Sequence, residues 1–182
     1  MSDLENKSKS LSAADDSAAR LLIDLLDGSP GRNFDIESLF LEKKEGKWRF
    51  VIFEFLKSIS VSPEVSHPNF YWYKNKRKFL SLWTVVKVFH QAGYGADLYL
   101  VNYLDDKTDV KLMKVLDVNQ NSDKIIRSAG VGYHGYNVSE VRDWVSTEDE
   151  VMSYSSFKDR FRSFNDRKLG DTWDLLYEIQ NS

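Results

Sequence analysis

The chain contains no cysteine, so disulfides, thiolate zinc sites, iron–sulfur clusters and a cysteine nucleophile are all excluded. Its three histidines, His67, His90 and His134, fall in separate segments, which argues against a zinc ion held by imidazoles alone. Long apolar runs are missing too: no stretch approaches the roughly eighteen residues that a membrane span requires, and no membrane partner is expected. The first sixteen residues, MSDLENKSKSLSAADD, are polar and partly acidic with no apolar stretch, so no secretory signal is expected and the location is expected to be cytoplasmic. What is left for chemistry is carboxylates, lysines, hydroxyls and a hard cation.

A chain of 182 residues is enough for one ordinary core and too short for two well-built ones. Hydrophobic residues at 42% and charged residues at 29% are normal for a globular chain, which sets aside disordered, collagenous and coiled-coil proteins. The net charge of −3 is unevenly spread: residues 42–90 carry ten Lys/Arg against four Asp/Glu, while both flanking segments are acidic. A polyanion is steered by the local field near its site, so this basic middle segment suits phosphate binding despite the overall sign.

Residues 1–11 read as a flexible polar tail. Ser12 and Asp15 give a capping signal, and Ala18, Leu21, Leu22, Leu25 and Leu26 recur at helical spacing, predicting a helix over 12–27 that Gly28-Ser29-Pro30-Gly31 stops. Two aromatic-rich apolar runs, 34–41 and 47–56, are joined by a polar connection ending in Gly46, which predicts a hairpin. Residues 58–73 hold Pro63 and Pro68 and read as an ordered loop. Phe79, Leu82, Trp83, Val86 and Phe89 fit a 3.6-residue period and predict a helix over 76–90 that Gly93 ends. A strand pair follows at 98–103 and 110–118. Beyond 118 the pattern weakens to a turn at 119–123, a short strand at 124–127, a glycine/aromatic loop at 130–136, short helices at 138–145 and 154–164, and a C-terminal element at 173–179. The fold expected is α/β or α+β, with a central mixed sheet flanked by helices.

The hairpin carries the most informative residues. Asp35 and Glu37 lie two apart on the first strand and so share a face. Glu54 sits inside Phe50-Val51-Ile52-Phe53-Glu54-Phe55-Leu56, where an ionised carboxylate is costly unless it is paired or bound to a cation. Paired strands bring side chains to within about 5 Å, so acidic groups from the two strands can converge on one hard cation. Lys57 follows three residues later. Two carboxylates holding Mg²⁺, with a lysine to stabilise developing negative charge, is the chemistry of metal-assisted phosphodiester hydrolysis. The plainer reading pairs Glu54 with Lys57 or Arg49 and leaves Asp35 and Glu37 as a polar strand face.

A second cluster, Asn69-Phe70-Tyr71-Trp72-Tyr73-Lys74-Asn75-Lys76-Arg77-Lys78, sets four cations directly after four aromatics at a helix start. Lys74, Lys76, Arg77 and Lys78 suit phosphate contact beside stacking rings, with His67 and Asn69 near the same cleft. A solvated basic helix start beside core aromatics is the competing reading. Gly130 to Gly135 matches G-x-G-x-x-G in form, but it follows no convincing strand and opens no apolar helix, so dinucleotide binding is rejected. Lys158, Arg160, Arg162, Arg167 and Lys168 surround Phe157, Phe161 and Phe164, which reads as an ordinary amphipathic surface helix, with a basic helix that touches DNA as the alternative.

Asp35, then Glu54-Phe55-Leu56-Lys57 after eighteen residues, with a helix before and helix–strand–strand after, resembles the PD-(D/E)XK nuclease superfamily over roughly 12–118. The resemblance implies a restriction-endonuclease-like core within a single domain at 12–182, with 119–182 as a C-terminal extension. It implies Asp35 and Glu54 as ligands of Mg²⁺, with Glu37 as an additional ligand, and Lys57 as the catalytic lysine. The implied activity is that of a metal-dependent DNA endonuclease of a restriction or mobile-element system, acting on DNA rather than RNA. Many enzymes of this type are homodimers, but no segment of the sequence marks a dimer face. The family has Glu-x-Lys where this chain has Glu-x-x-Lys, so Lys57 reaches the Glu54 face only if the strand bulges near Phe55 or Leu56. The alternative is a nuclease-like fold that binds nucleic acid or protein without cleaving.

Overall fold

In the computed structural model, the described residues are 36–58, 61–127, 140–165 and 170–181. The chain divides after Phe34 into two compact units, and every described residue lies in the second. The tail expected at 1–11 and the helix expected at 12–27 lie outside the described residues, as do Asp35 and the glycine-rich loop at 130–136.

Strands β1 (Ser38–Lys44) and β2 (Lys47–Lys57) form the expected hairpin. They pair antiparallel from Ser38 opposite Phe53 to Lys44 opposite Lys47. The turn is only Glu45-Gly46, with φ of 53° and 77°, the pair of left-handed residues whose twist suits adjoining strands. Strand pairing therefore runs on through Lys44, past the apolar stretch that marked the strand in sequence.

The polypeptide then crosses through two short 3-10 turns, at Pro63–Val65 and Pro68–Tyr71, into helix α1 (Trp72–Gln91). Its buried positions are Trp72, Phe79, Leu82, Trp83 and Val86; four of the five expected periodic residues are among them, and the fifth, Phe89, is partly buried against the same core. Gly93 follows the helix at φ 86° and turns the chain into β3 (Gly95–Tyr103). β3 lies parallel to β2 in unbroken register, and β4 (Asp109–Val118) pairs antiparallel with β3.

Strands β5 (Ile125–Arg127) and β6 (Glu140–Arg142) form a separate two-stranded ribbon. β7 (Val145–Ser153) completes a five-stranded mixed sheet in the order β1-β2-β3-β4-β7. Helices α2 (Tyr154–Asn165) and α3 (Gly170–Gln180) follow. The helix expected at 138–145 is corrected where the chain is described: Glu140–Arg142 is strand and Val145 opens β7, while residues 138–139 lie outside the described residues. Val138, Val141 and Trp144 mimic a helical step, but pairing with β5 and β4 decides the conformation. β7 was not foreseen because Ser146-Thr147-Glu148-Asp149-Glu150 is polar and acidic, a composition suited to an edge strand.

Both sheet faces are covered. Ile52, Leu98, Leu100, Met113 and Val115 pack under α1 with Trp144 and Val145. Val51, Phe53, Val101, Val110 and Leu112 pack on the other face with Phe157, Phe161 and Phe164 of α2. A strand buried on both faces reads as a continuous apolar run, and β2 does so except at Glu54. Among the described residues no helix is long and apolar enough to cross a membrane.

Candidate functional site

Glu54 follows Ile52 on the α1 face of β2 by strand alternation and is 1% exposed. Its Oε1 forms an ion pair with the ammonium of Lys78, which sits one turn before Leu82 on the same helix. The Lys78 Nζ also lies 3.5 Å from Oε1 of Glu37, and Oε2 of Glu37 accepts a 2.6 Å hydrogen bond from the Phe55 amide. Two carboxylates from the hairpin thus converge on one cation supplied by the crossover helix. The buried charge on Glu54 is compensated, as it must be inside an apolar strand.

Lys57 is elsewhere. The register of β2 with β3 runs one-to-one from Arg49 to Lys57 with no bulge, so Lys57 shares a face with Val51, Phe53 and Phe55 and points away from Glu54. Its Nζ pairs with Asp105 Oδ1 at 2.8 Å, and the hydrogen bond it donates to that carboxylate raises its pKa. The expected convergence of Lys57 with Glu54 is therefore corrected. The lysine beside Glu54 is Lys78, about one helix turn beyond the exposed Lys74 and grouped in the sequence with the cations expected to bind phosphate.

Of the rest of the basic stretch, Lys74, Lys76 and Arg77 are exposed on α1. Asn69 is corrected from a nucleic-acid contact to an interior strut. It is 2% exposed, accepts a 2.8 Å hydrogen bond from the Val145 amide, and donates to the Val145 carbonyl at 3.2 Å and Asp143 at 3.3 Å. His67 is likewise committed. Its Nδ1 accepts from the Asn69 amide at 3.2 Å, which leaves the proton on Nε2, 3.0 Å from Thr147 Oγ1. Burial lowers the His67 pKa, with Lys111 adding to the effect and Asp149 and Asp143 opposing it.

Beyond Glu54 on the same sheet face lies a polar set that sequence reasoning missed. Asn102, 1% exposed, donates to Ser66 Oγ and accepts from the Tyr71 hydroxyl at 3.2 Å. Lys111, paired in register with Asn102, donates to the Ser66 carbonyl at 2.9 Å and ion-pairs with Asp149 at 2.8 Å. Burial pushes the Asp149 carboxyl up, but hydrogen bonds from Lys111 and Thr147 leave it net lowered. These groups fasten the loop that launches α1 onto the sheet. The signal was available: Asn102 in Leu-Tyr-Leu-Val-Asn-Tyr is a polar residue within an apolar strand, by the logic that singled out Glu54.

The Lys78 ammonium shows that the Glu37 and Glu54 carboxylates can hold one cation between them. That oxygen donor set suits Mg²⁺, which binds through one or two carboxylates and keeps several waters. Among the described residues no group of three His, Asp or Glu side chains gathers as a metal cluster. No protein-family model, curated protein or solved structure matches the chain.

Proposed function

We infer that the protein is a metal-dependent nuclease that hydrolyses phosphodiester bonds of DNA, with its centre at Glu54. The supporting observation is the buried Glu54 carboxylate, set in an apolar strand and joined to Glu37 and Lys78 beside an exposed basic helix face. Glu54 and Glu37 would hold Mg²⁺, joined by Asp35 as the nuclease resemblance implies; the ion would supply charge neutralisation and a more acidic bound water. Lys78 is held ready by the two carboxylates and stabilises negative charge as it develops on the phosphoryl oxygens. Lys74, Lys76 and Arg77 hold the phosphate backbone and position the strand. The restriction-endonuclease-like core, and the setting in a restriction or mobile-element system, are part of this proposal.

A second reading is a nuclease-like fold that binds without cleaving. It is favoured by Lys57 lying on the other face and by Lys78 already balancing the buried carboxylate. Incubation of supercoiled plasmid with the protein and Mg²⁺ separates the two. Nicking or linearisation that requires Mg²⁺ and is lost in Glu54→Gln supports the nuclease, and tight binding with no cleavage under any divalent cation supports the second reading.

A further inference from the structure

Among the described residues the β5–β6 ribbon lies outside the five-stranded sheet and pairs only with itself, over three residues per strand. A lone two-stranded ribbon is marginal in water, yet this one is clamped at its base to the beginning of α1. Asp143, next to β6, accepts from Asn69, and its amide donates to the Lys124 carbonyl at 2.8 Å. Trp144 stacks on Trp72 with ring centroids 5.6 Å apart and planes 4° from parallel, and it meets Tyr73 edge-on at 5.1 Å.

The clamp places further binding chemistry beside the exposed cations of α1. Tyr73 is 79% exposed, far more than a packing role for its ring explains. The Lys124 side chain is 71% exposed, and its ammonium pairs with Asp143 at 3.1 Å, a pair that leaves two of its N–H donors for a phosphate. Arg142 is exposed, with one guanidinium nitrogen 3.3 Å from the Ser122 carbonyl. A two-stranded ribbon fits the major groove of a DNA duplex, which makes it suited to contact the bases while flanking cations hold phosphates.

We propose that the β5–β6 ribbon is a second DNA contact, in which Lys124 and Arg142 meet phosphates and Tyr73 stacks at the junction with α1. This rests on the nuclease reading and adds a second contact to the duplex next to the start of α1. Fluorescence-anisotropy titration of a labelled duplex against salt tests it with the full chain. Lys124→Gln/Arg142→Gln should lower the slope of log affinity against log salt by about 1.8, near 0.9 per phosphate contact. Tyr73→Ser should weaken binding at every salt concentration with the slope unchanged. If the wild type binds and cleaves DNA while both variants keep its affinity and slope, the ribbon contact is overturned and the nuclease stands. If the wild type binds no duplex at low salt, both fall together.

Discussion

Two charged clusters lie on strand β2, and they differ in how they are built. At its amino end, on the α2 face, Glu42 of β1, Arg49 of β2, Asp97 of β3 and Lys114 of β4 form a ladder across four neighbouring strands. The sheet sets their spacing, the signs alternate, and each charge meets an opposite one in the next strand, as in any stabilising cross-strand pair. At the carboxyl end, on the α1 face, Glu37, Glu54 and Lys78 come from a segment before β1, from β2 and from the crossover helix. Strand pairing alone cannot assemble that group. A ladder that the sheet makes by itself is sufficiently explained by stability, whereas the carboxylate buried where separate elements meet is the group on which the proposed chemistry rests.

The sharpest contrast is in rate. Lys78→Ala should lower Mg²⁺-dependent cleavage by roughly two to three orders of magnitude, the usual cost of removing a charge that stabilises the transition state. Lys78→Arg, which keeps the charge, should recover part of it, while Lys114→Ala in the ladder leaves the single-turnover rate at wild type. Stability should respond in the opposite sense for the ladder. Asp97→Ala leaves the partly buried Arg49 with a poorer partner and should cost about 1–3 kcal/mol in urea unfolding, with no loss of cleavage.

Smaller effects sharpen the comparison. Lys74→Gln/Lys76→Gln/Arg77→Gln should reduce the salt slope of DNA binding by about 2.7 if each cation meets a phosphate, and an unchanged slope makes them a solvated face. His67, which ties the loop before α1 to β7, makes stability depend on pH. Its folded pKa is lowered, so the unfolded chain takes up the proton more readily. The stabilisation is complete above the ordinary histidine value of about 6.5 and is lost as pH falls below it. Urea midpoints should therefore drop between about pH 7 and pH 5, and the drop should shrink in His67→Asn, whose side chain can still cap the turn. Smallest of all, Lys57→Ala should leave cleavage and melting temperature unchanged, because the exposed pair with Asp105 touches neither cluster.

Much of the fold was legible because β2, α1, β3 and β4 carry strong apolar periodicity, from Phe50 to Leu56 and from Phe79 to Val86. β7 was not, since an edge strand can be polar and its pairing partner, β4, lies far back in the chain. In the candidate site, Glu54 was legible as a carboxylate in an apolar run. Its partner was not, because the short spacing to Lys57 suggested a neighbour on the same strand, whereas alternation sends Lys57 to the opposite face and helix geometry brings Lys78 across. The ties made by His67 and Asn69 were hidden for a related reason: in sequence they adjoin the cations, while in space they fasten the loop before α1 to β7 and the base of the ribbon.

The central claim is that the Glu54 cluster is chemical and the Arg49 ladder is structural. It is tested most directly by measuring single-turnover plasmid cleavage and melting temperature side by side on Glu54→Gln and Asp97→Asn. The account predicts that Glu54→Gln loses Mg²⁺-dependent cleavage while still binding duplex DNA, and that Asp97→Asn melts at a lower temperature while cleaving at the wild-type rate. Cleavage retained in a folded Glu54→Gln protein would contradict it.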